Sequence, residues 1–354
     1  MYEDFHYYAL FVLARHAGLA EPDARTIAYC SQYVDDSTEG DTMLFSNCEA
    51  SFDPVRSSWT GLESLVPDVQ RKIYLPFHFV PPHAVPEHAS CRDDTHAYSY
   101  LVVPDGKFAN QLLDAAIDDR SELRLHKIGV ALHGYADTWA HQGFSGRHGP
   151  ENDLQDISKL DEHGRFRSVG IFGQLLRDIR PDVGHAEAGP LPDLSWLTWS
   201  FVQGGRTIVR NNAEIFLAAA RACFAKLASA AGGGARPWGA IAGRVAACLA
   251  AQPANPDASP GTLLREASMR WIAAFPEYFT GLGLMYSRVT WRADALLTSD
   301  LALLDWDMQK RSWGAAGAFA MRPGFHASNW VMFHRAALWH RFVFRDMTMR
   351  PGRG

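Results

Sequence analysis

The sequence predicts an all-α protein: a single mainly helical metal-binding domain over residues 1–354, with a long irregular loop excursion packed on it. Three observations predict this. Apolar residues recur at three- and four-residue intervals through most of the chain, the signature of amphipathic helices. Gly and Pro stand where such helices start and stop. Residues 40–105, rich in Pro, Ser, Asp and aromatics, lack that period and supply the excursion, with room for a short hairpin.

A first helix is expected over residues 3–17, stopped by Gly18. His6 lies on its first turn. A second covers residues 21–34, with Pro22 in the first turn. It ends in Tyr-Val-Asp35-Asp36. Two acids at a helix C-terminus face the negative pole of the macrodipole, and a bound cation would offset that cost; solvated loop acids are the alternative. In the excursion, the run LPFHFVPPH fixes an extended backbone around His78 through its prolines. A histidine between two Phe rings on such a loop is suited to be a ligand delivered from outside the helices. His83, His88 and His96 follow in a more polar context and read as surface residues.

Helical pattern resumes over residues 107–118 and from 122 through 141, followed by a glycine-rich loop at 143–150 of the kind that rims active sites. Residues 151–165 are polar and acidic, and 165–179 reads as a short helix. Gly184 allows close backbone approach next to His185. Asp193 sits in a Pro-stiffened turn as a ligand, a partner holding an imidazole, or a turn residue. Helices are expected over 205–231, 237–251, 261–279 and 325–347, with GGGARP at 232–237 as a flexible joint. His326, His334 and His340 on the last helix read as capping and core residues.

The chemistry centres on LHKIGVALHGYADTWAHQGF. Positions four apart on a helix stack on nearly one face, so His133, Asp137 and His141 form a polar column. Two imidazoles and a carboxylate in register, flanked by small and apolar residues, are first ligands for zinc or iron. A polar helix face satisfied by hydrogen bonds is the alternative.

Composition narrows the rest. Hydrophobic residues make up 47% of the chain, enough for a large core without disulfides. The five cysteines (30, 48, 91, 223, 248) form no CxxC pair and suit a reducing compartment. A net charge of −5 and a pI near 6.3 leave no global basic field for a long nucleic acid. No stretch of 18 apolar residues predicts a membrane span. The acidic N-terminus MYEDFHYYALFVLARHAG does not read as a signal peptide, so the expected location is cytoplasmic.

The HxxxD column, the early His6, the Asp35-Asp36 pair after a second helix and the loop His78 resemble the ligand order of the zinc-dependent phospholipase C and S1/P1 nuclease superfamily. The phrases DFHYYA, SQYVDD, PFHF and LHGYADTWAHQGF are closer still to an uncharacterised bacterial domain-of-unknown-function family. That resemblance covers the first 200 residues well and the last 150 weakly. It implies an all-α fold with two or three zinc ions. Asp35 or Asp36, His78, His133 and Asp137 would surround the metals, Asp137 bridging two. His141 and His185 would match the later histidines. The superfamily also uses its N-terminal amine as a ligand, a place His6 would take here. Its later helical HxxxE or HxxxD motif has no counterpart, since His185 has only Glu187 and Asp193 near it.

The expected activity is metal-dependent hydrolysis of a phosphoester, lipid or small molecule, by a metal-activated water, with Asp137 and Asp36 as the catalytic carboxylates. Lys127 and Arg147 are candidates to reach phosphate oxygens, and the Trp residues near 196–199 to stack on a base or meet an acyl chain. The competing readings are an iron-dependent oxygen-activating enzyme and a non-catalytic, metal-stabilised helical scaffold.

Overall fold

In the computed structural model, the described residues are all except 60–64, 84–99, 162, 169–182, 281–284, 300–318 and 350–354. Helix α1 begins with a π-helical stretch, Asp4–Ala9, and continues as Leu10–His16; α2 spans Glu21–Asp36. A small hairpin pairs β1 (Met43–Leu44) with β2 (Ser51–Phe52). Next comes α3, which starts at Pro67–Val69 and runs into a π-helical Gln70–His78. Helices α4 (Lys107–Ile117) and α5 (Arg124–Ala140) follow.

The all-α expectation is overturned by what comes after α5. Strands β3 (Gln155–Leu160), β4 (Phe166–Ser168), β5 (Thr198–Gln203) and β6 (Arg206–Asn211) form a four-stranded antiparallel sheet in the order β4-β3-β5-β6. The fold is mixed, with 54% of the described residues helical and 11% in strands. The remaining elements are α6 (Asn212–Ala231), α7 (Gly239–Ala250), α8 (Pro260–Ala274), α9 (Val289–Ala295), the pair β7 (Leu296–Leu297) and β8 (Ala320–Met321), and α10 (Asn329–Met349).

The helix expected from residue 205 therefore starts at Asn212, and the residues before it are strand. Thr207, Ile208 and Val209 are β-branched, and Gly204-Gly205, both at positive φ, make the two-residue turn that joins β5 to β6. The polar stretch 151–165 hides β3 because that strand is mostly exposed and Ile157 is its one buried residue. Of the helix expected over 165–179, residue 165 is irregular, 166–168 are strand and 169–179 lie outside the described residues. The excursion is less irregular than its composition suggests, since 67–78 is helical with Pro67 in the first turn. His78 thus closes a helix instead of riding an extended loop. The GGGARP joint is pinned: Arg236 donates its backbone N–H to the His16 carbonyl (3.1 Å), and His16 Nε2–H donates to the Pro237 carbonyl (3.0 Å).

Helix α5 is the axis of the helical part. Every residue from His126 to Ala140 is buried, and α2, α3, α4, α6 and α10 pack around it. Gly129 lets α2 come this close: a Cβ there would collide with the Cys30 Cβ and the Ile27 carbonyl. A second, smaller core joins the sheet to the loop after α5, with Phe144, Trp199, Phe201 and Phe79 at its centre.

Candidate metal centre

Four elements deliver side chains to one point. Helix α1 carries His6, the C-terminal turn of α2 carries Asp35, the end of α3 carries His78, and α5 carries His133 and Asp137, with His141 at its C-cap. The π-helical stretches carry His6 and His78, a helix type that recurs at functional sites. The segment under the sheet adds His185 and Asp193. Gly184, at φ +60°, lies so close to the Phe79 ring that a Cβ would overlap it, which seats His185 against that ring.

Asp137 is at the middle and fully buried. Its Oδ1 is 3.1 Å from His6 Nε2 and 2.8 Å from the Met1 amine. Its Oδ2 is 3.2 Å from His133 Nε2 and 3.5 Å from His78 Nδ1, and makes no hydrogen bond among the described residues. Each oxygen thus serves a different group of ligands. Asp35 Oδ1 completes the second group, 3.6 Å from His133 Nε2 and 3.7 Å from His78 Nδ1. A third group unites His141 Nε2, His185 Nε2 and Asp193, at separations of 3.2, 3.3 and 3.5 Å.

The tautomers follow from the carbonyls, which can only accept. His133 Nδ1–H donates to the Ser31 carbonyl (2.8 Å) and His78 Nε2–H to the Ser57 carbonyl (2.8 Å). In the neutral rings, His133 Nε2 and His78 Nδ1 then face each other with bare lone pairs at 3.1 Å. The same holds for His141 and His185, whose Nδ1–H groups go to the His78 (2.8 Å) and Gly189 (2.9 Å) carbonyls, leaving the Nε2 atoms 3.2 Å apart. Facing lone pairs repel unless a proton or metal lies between them. Ligands on a tetrahedral zinc, with bonds near 2.0–2.1 Å, stand about 3.3 Å apart. The His78 and His133 nitrogens stand 3.1 Å from each other and 3.2–3.7 Å from the Asp35 and Asp137 oxygens, which fits that set. Backbone carbonyls behind the imidazoles are the usual outer partners of metal-bound histidine.

Burial favours the neutral, ligand-ready form of three rings. Burial, only partly offset by Asp137, lowers His6 to about 4; burial and the neighbouring His6 lower His133 to about 4; burial lowers His185 to about 4 despite Asp193. Burial opposes protonation of His78 too, but Asp137 and Asp35 beside it outweigh that and raise it. Burial would raise Asp137, yet His141, the Met1 amine, His133 and His6 hold it well below the carboxylate range. Burial raises Asp35. The Met1 amine also touches Asp193 (2.9 Å); burial works against its charge, but Asp137, Asp193 and Asp35 raise it to about 11.

A cleft of about 550 Å³ opens onto this cluster. His6, Asp35, His78, His133, Asp137, His141 and His185 all reach the three groups. Asp36 does not: it lines the cleft, accepting from Tyr286 OH (2.6 Å) and Gln32 Nε2 (3.2 Å). Sequence reasoning gave the place of the N-terminal amine to His6, whereas both the Met1 amine and His6 meet Asp137 Oδ1, and it left Asp193 open between three roles. The two cations expected at phosphate do not line the cleft. Lys127 pairs with Asp119 (2.6 Å), and Arg147 lies over the Tyr100 ring (4.1 Å). Trp199 is fully buried in the sheet core; the cleft's aromatic side chains are Tyr2, Trp59, Tyr74 and Phe79. His83 is exposed; His88, His96 and Cys91 lie outside the described residues. His334 accepts from the Val55 N–H (3.0 Å) and His340 donates to the Pro76 carbonyl (2.8 Å), both away from the cluster.

No helix among the described residues is long and apolar enough to cross a membrane. No curated protein and no solved structure matches the chain. A family model matches residues 1–347, well beyond the first 200 residues in which the sequence resemblance is strong, and its description is "Family of unknown function (DUF6765)". The chain belongs to that family.

Proposed function

We propose that the protein is a metal-dependent hydrolase of phosphoesters that holds up to three divalent ions, one per ligand group, with zinc the best match to the donors. The observation that carries this reading is the pair of facing imidazole nitrogens at 3.1 and 3.2 Å, each pair with its N–H donors committed elsewhere and a carboxylate alongside. Such a pocket favours a cation over water or an apolar ligand. The nitrogen and oxygen donors suit zinc, and the absence of thiolates among them argues against a purely structural thiolate site.

Asp35, His78, His133 and Asp137 Oδ2 would hold one ion; His141, His185 and Asp193 a second. His6 and Asp137 Oδ1, beside the Met1 amine, would hold a third. His133 offers only Nε2, so it serves one ion and not two. Bound ions of this kind acidify water and neutralise a phosphoryl group. The chain's own part is to keep His6, His133 and His185 neutral by burial, to fix the rings of His133, His78, His141 and His185 through the Ser31, Ser57, His78 and Gly189 carbonyls, and to set Asp137 between two groups. The cleft, about 550 Å³, has the volume of a small-molecule site.

The test is elemental analysis of purified protein beside His133→Ala, with hydrolysis of bis(4-nitrophenyl) phosphate measured on both. Zinc in the wild type, lower in the variant, together with hydrolysis that falls at least about a hundredfold, is expected. Metal-free wild type after zinc reconstitution would sink the reading. Bound iron with no phosphodiester turnover would replace it with oxygen chemistry.

A further inference from the structure

We propose that Ser31 is the positioning residue for the ion held by His6: its hydroxyl donates to the ring when the site is empty and accepts from it when the site is filled, so His6 exchanges tautomer on binding. This rests on the metal reading above and concerns the residues that receive the ion, whatever the substrate.

Ser31 lies on α2, one turn before Asp35, and is fully buried. It touches two rings at once. Its carbonyl takes the His133 Nδ1–H (2.8 Å), and its Oγ stands 3.2 Å from His6 Nδ1. Those two rings stack, with centroids 3.9 Å apart and planes 22° apart. One residue holds both, but by different chemistry. A carbonyl oxygen only accepts, so neutral His133 keeps its proton on Nδ1. A hydroxyl donates or accepts as its neighbour requires.

The opposite nitrogen of His6 decides what the hydroxyl does here. His6 Nε2 is 3.1 Å from Asp137 Oδ1, an oxygen of an ionised carboxylate, which only accepts. Nε2 therefore carries the proton, Nδ1 is bare, and the Ser31 O–H donates to it. His133, His78, His141 and His185 differ: backbone carbonyls hold their protons on the far side, and each turns a bare nitrogen to the cluster. His6 turns an N–H. To hold an ion together with Asp137 Oδ1, the ring gives up the Nε2 proton to solvent and takes one at Nδ1, so it stays neutral and its proton count is unchanged. The new Nδ1–H needs an acceptor where neither His6 nor Ser31 has exposed surface. Ser31 Oγ, with its own proton rotated away, is that acceptor. Alanine in its place would leave a buried donor unpaired, which is costly.

The experiment is zinc titration of metal-free wild type, Ser31→Ala and His6→Gln by competitive chelation and elemental analysis, with the ring nitrogens of isotope-labelled histidine read by NMR before and after loading. His6→Gln marks the His6 signals and the His6 ion by losing both. Ser31→Ala keeps the carbonyl that serves His133, so the ions of the other two groups report on the fold within the same protein. In the wild type, the His6 proton should sit on Nε2 without metal and on Nδ1 when zinc is loaded. Ser31→Ala should hold the ions of the other two groups within about twofold of wild type and the His6 ion on the order of ten- to a hundredfold more weakly. A proton on Nδ1 in the metal-free wild type overturns the exchange. An unchanged His6 ion in Ser31→Ala, or equal weakening of every ion, overturns the role of the hydroxyl. A wild type that binds zinc and loses none of it in His6→Gln overturns the His6 site and leaves the phosphoester reading standing. A wild type that binds no zinc overturns both.

Discussion

At the scale of single residues, the cluster is defined by which nitrogen of each ring is free. The backbone carbonyls of Ser31, Ser57, His78 and Gly189 decide this: His133, His141 and His185 offer Nε2, and His78 offers Nδ1. The same burial that frees these nitrogens makes the metal-free protein acid-sensitive. His6, His133 and His185, with His126 and His340 outside the cluster, are lowered from 6.5 to about 4, burial being the largest cause for each. The unfolded chain takes up those protons below about 6.5, and the folded chain only near 4. Stability is therefore lost as pH falls through that window, by up to ~1.4 kcal/mol per pH unit for each such ring. Urea unfolding of chelator-treated protein at pH 7, 5.5 and 4.5 should show a midpoint that drops steadily with pH. A flat midpoint would mean that these rings are not buried as neutral groups.

Among the elements, the crossing of α2 and α5 does most to build the site, because it brings Asp35 to His133 and Asp137. Its closeness depends on Gly129. Gly129→Ala would push the helices apart at Cys30 and Ile27, and overpacking of this kind costs about 1–3 kcal/mol. Retained folding with weaker zinc binding is the expected result by circular dichroism and competitive chelation. Unchanged affinity would show that the crossing tolerates the shift. The sheet plays the same part for His141 and His185. Arg210, on β6, donates to the Gln142 carbonyl (3.1 Å) at the end of α5, and Phe79 stacks on the His141 ring (4.5 Å).

Across the whole molecule, the C-terminal half fastens the elements that carry the ligands. Arg292 on α9 pairs with the buried Glu39 (2.9 Å) and donates to Tyr33 OH (2.8 Å), while Trp330 on α10 reaches the same tyrosine (3.0 Å). This network grips the end of α2, where Asp35 sits. Burial would raise Glu39, but Arg292 and His334 hold it well below the carboxylate range. His340 makes a comparable link from α10 to α3, two residues before His78. His340→Ala should keep its zinc and lose roughly 1–3 kcal/mol of stability, from the unpaired Pro76 carbonyl and the lost packing. Loss of zinc in that variant would show that α10 belongs to the metal site and not only to its support.

The sequence by itself determined the helices and the ligand column. Helical periodicity is local, so residues 107–118 and 122–141 were legible to within a residue or two, and His133, Asp137 and His141 had to share a face. Side-chain type was local too, which is why the candidate ligands could be named one by one. Only the tertiary structure decided what those residues meet. Nothing in the spacing separates Asp35 from Asp36, because adjacent residues on a helix end differ only in direction; α5 lies on Asp35's side, and Tyr286 takes Asp36. The sheet went unread because β3 shows water most of its side chains and β5–β6 abuts a helix without a break, so its pattern depends on partners far along the chain. Asp193 and the Met1 amine enter the cluster for the same reason. They are 56 and 136 residues from Asp137, and contacts over such distances arise from packing, which no local pattern records.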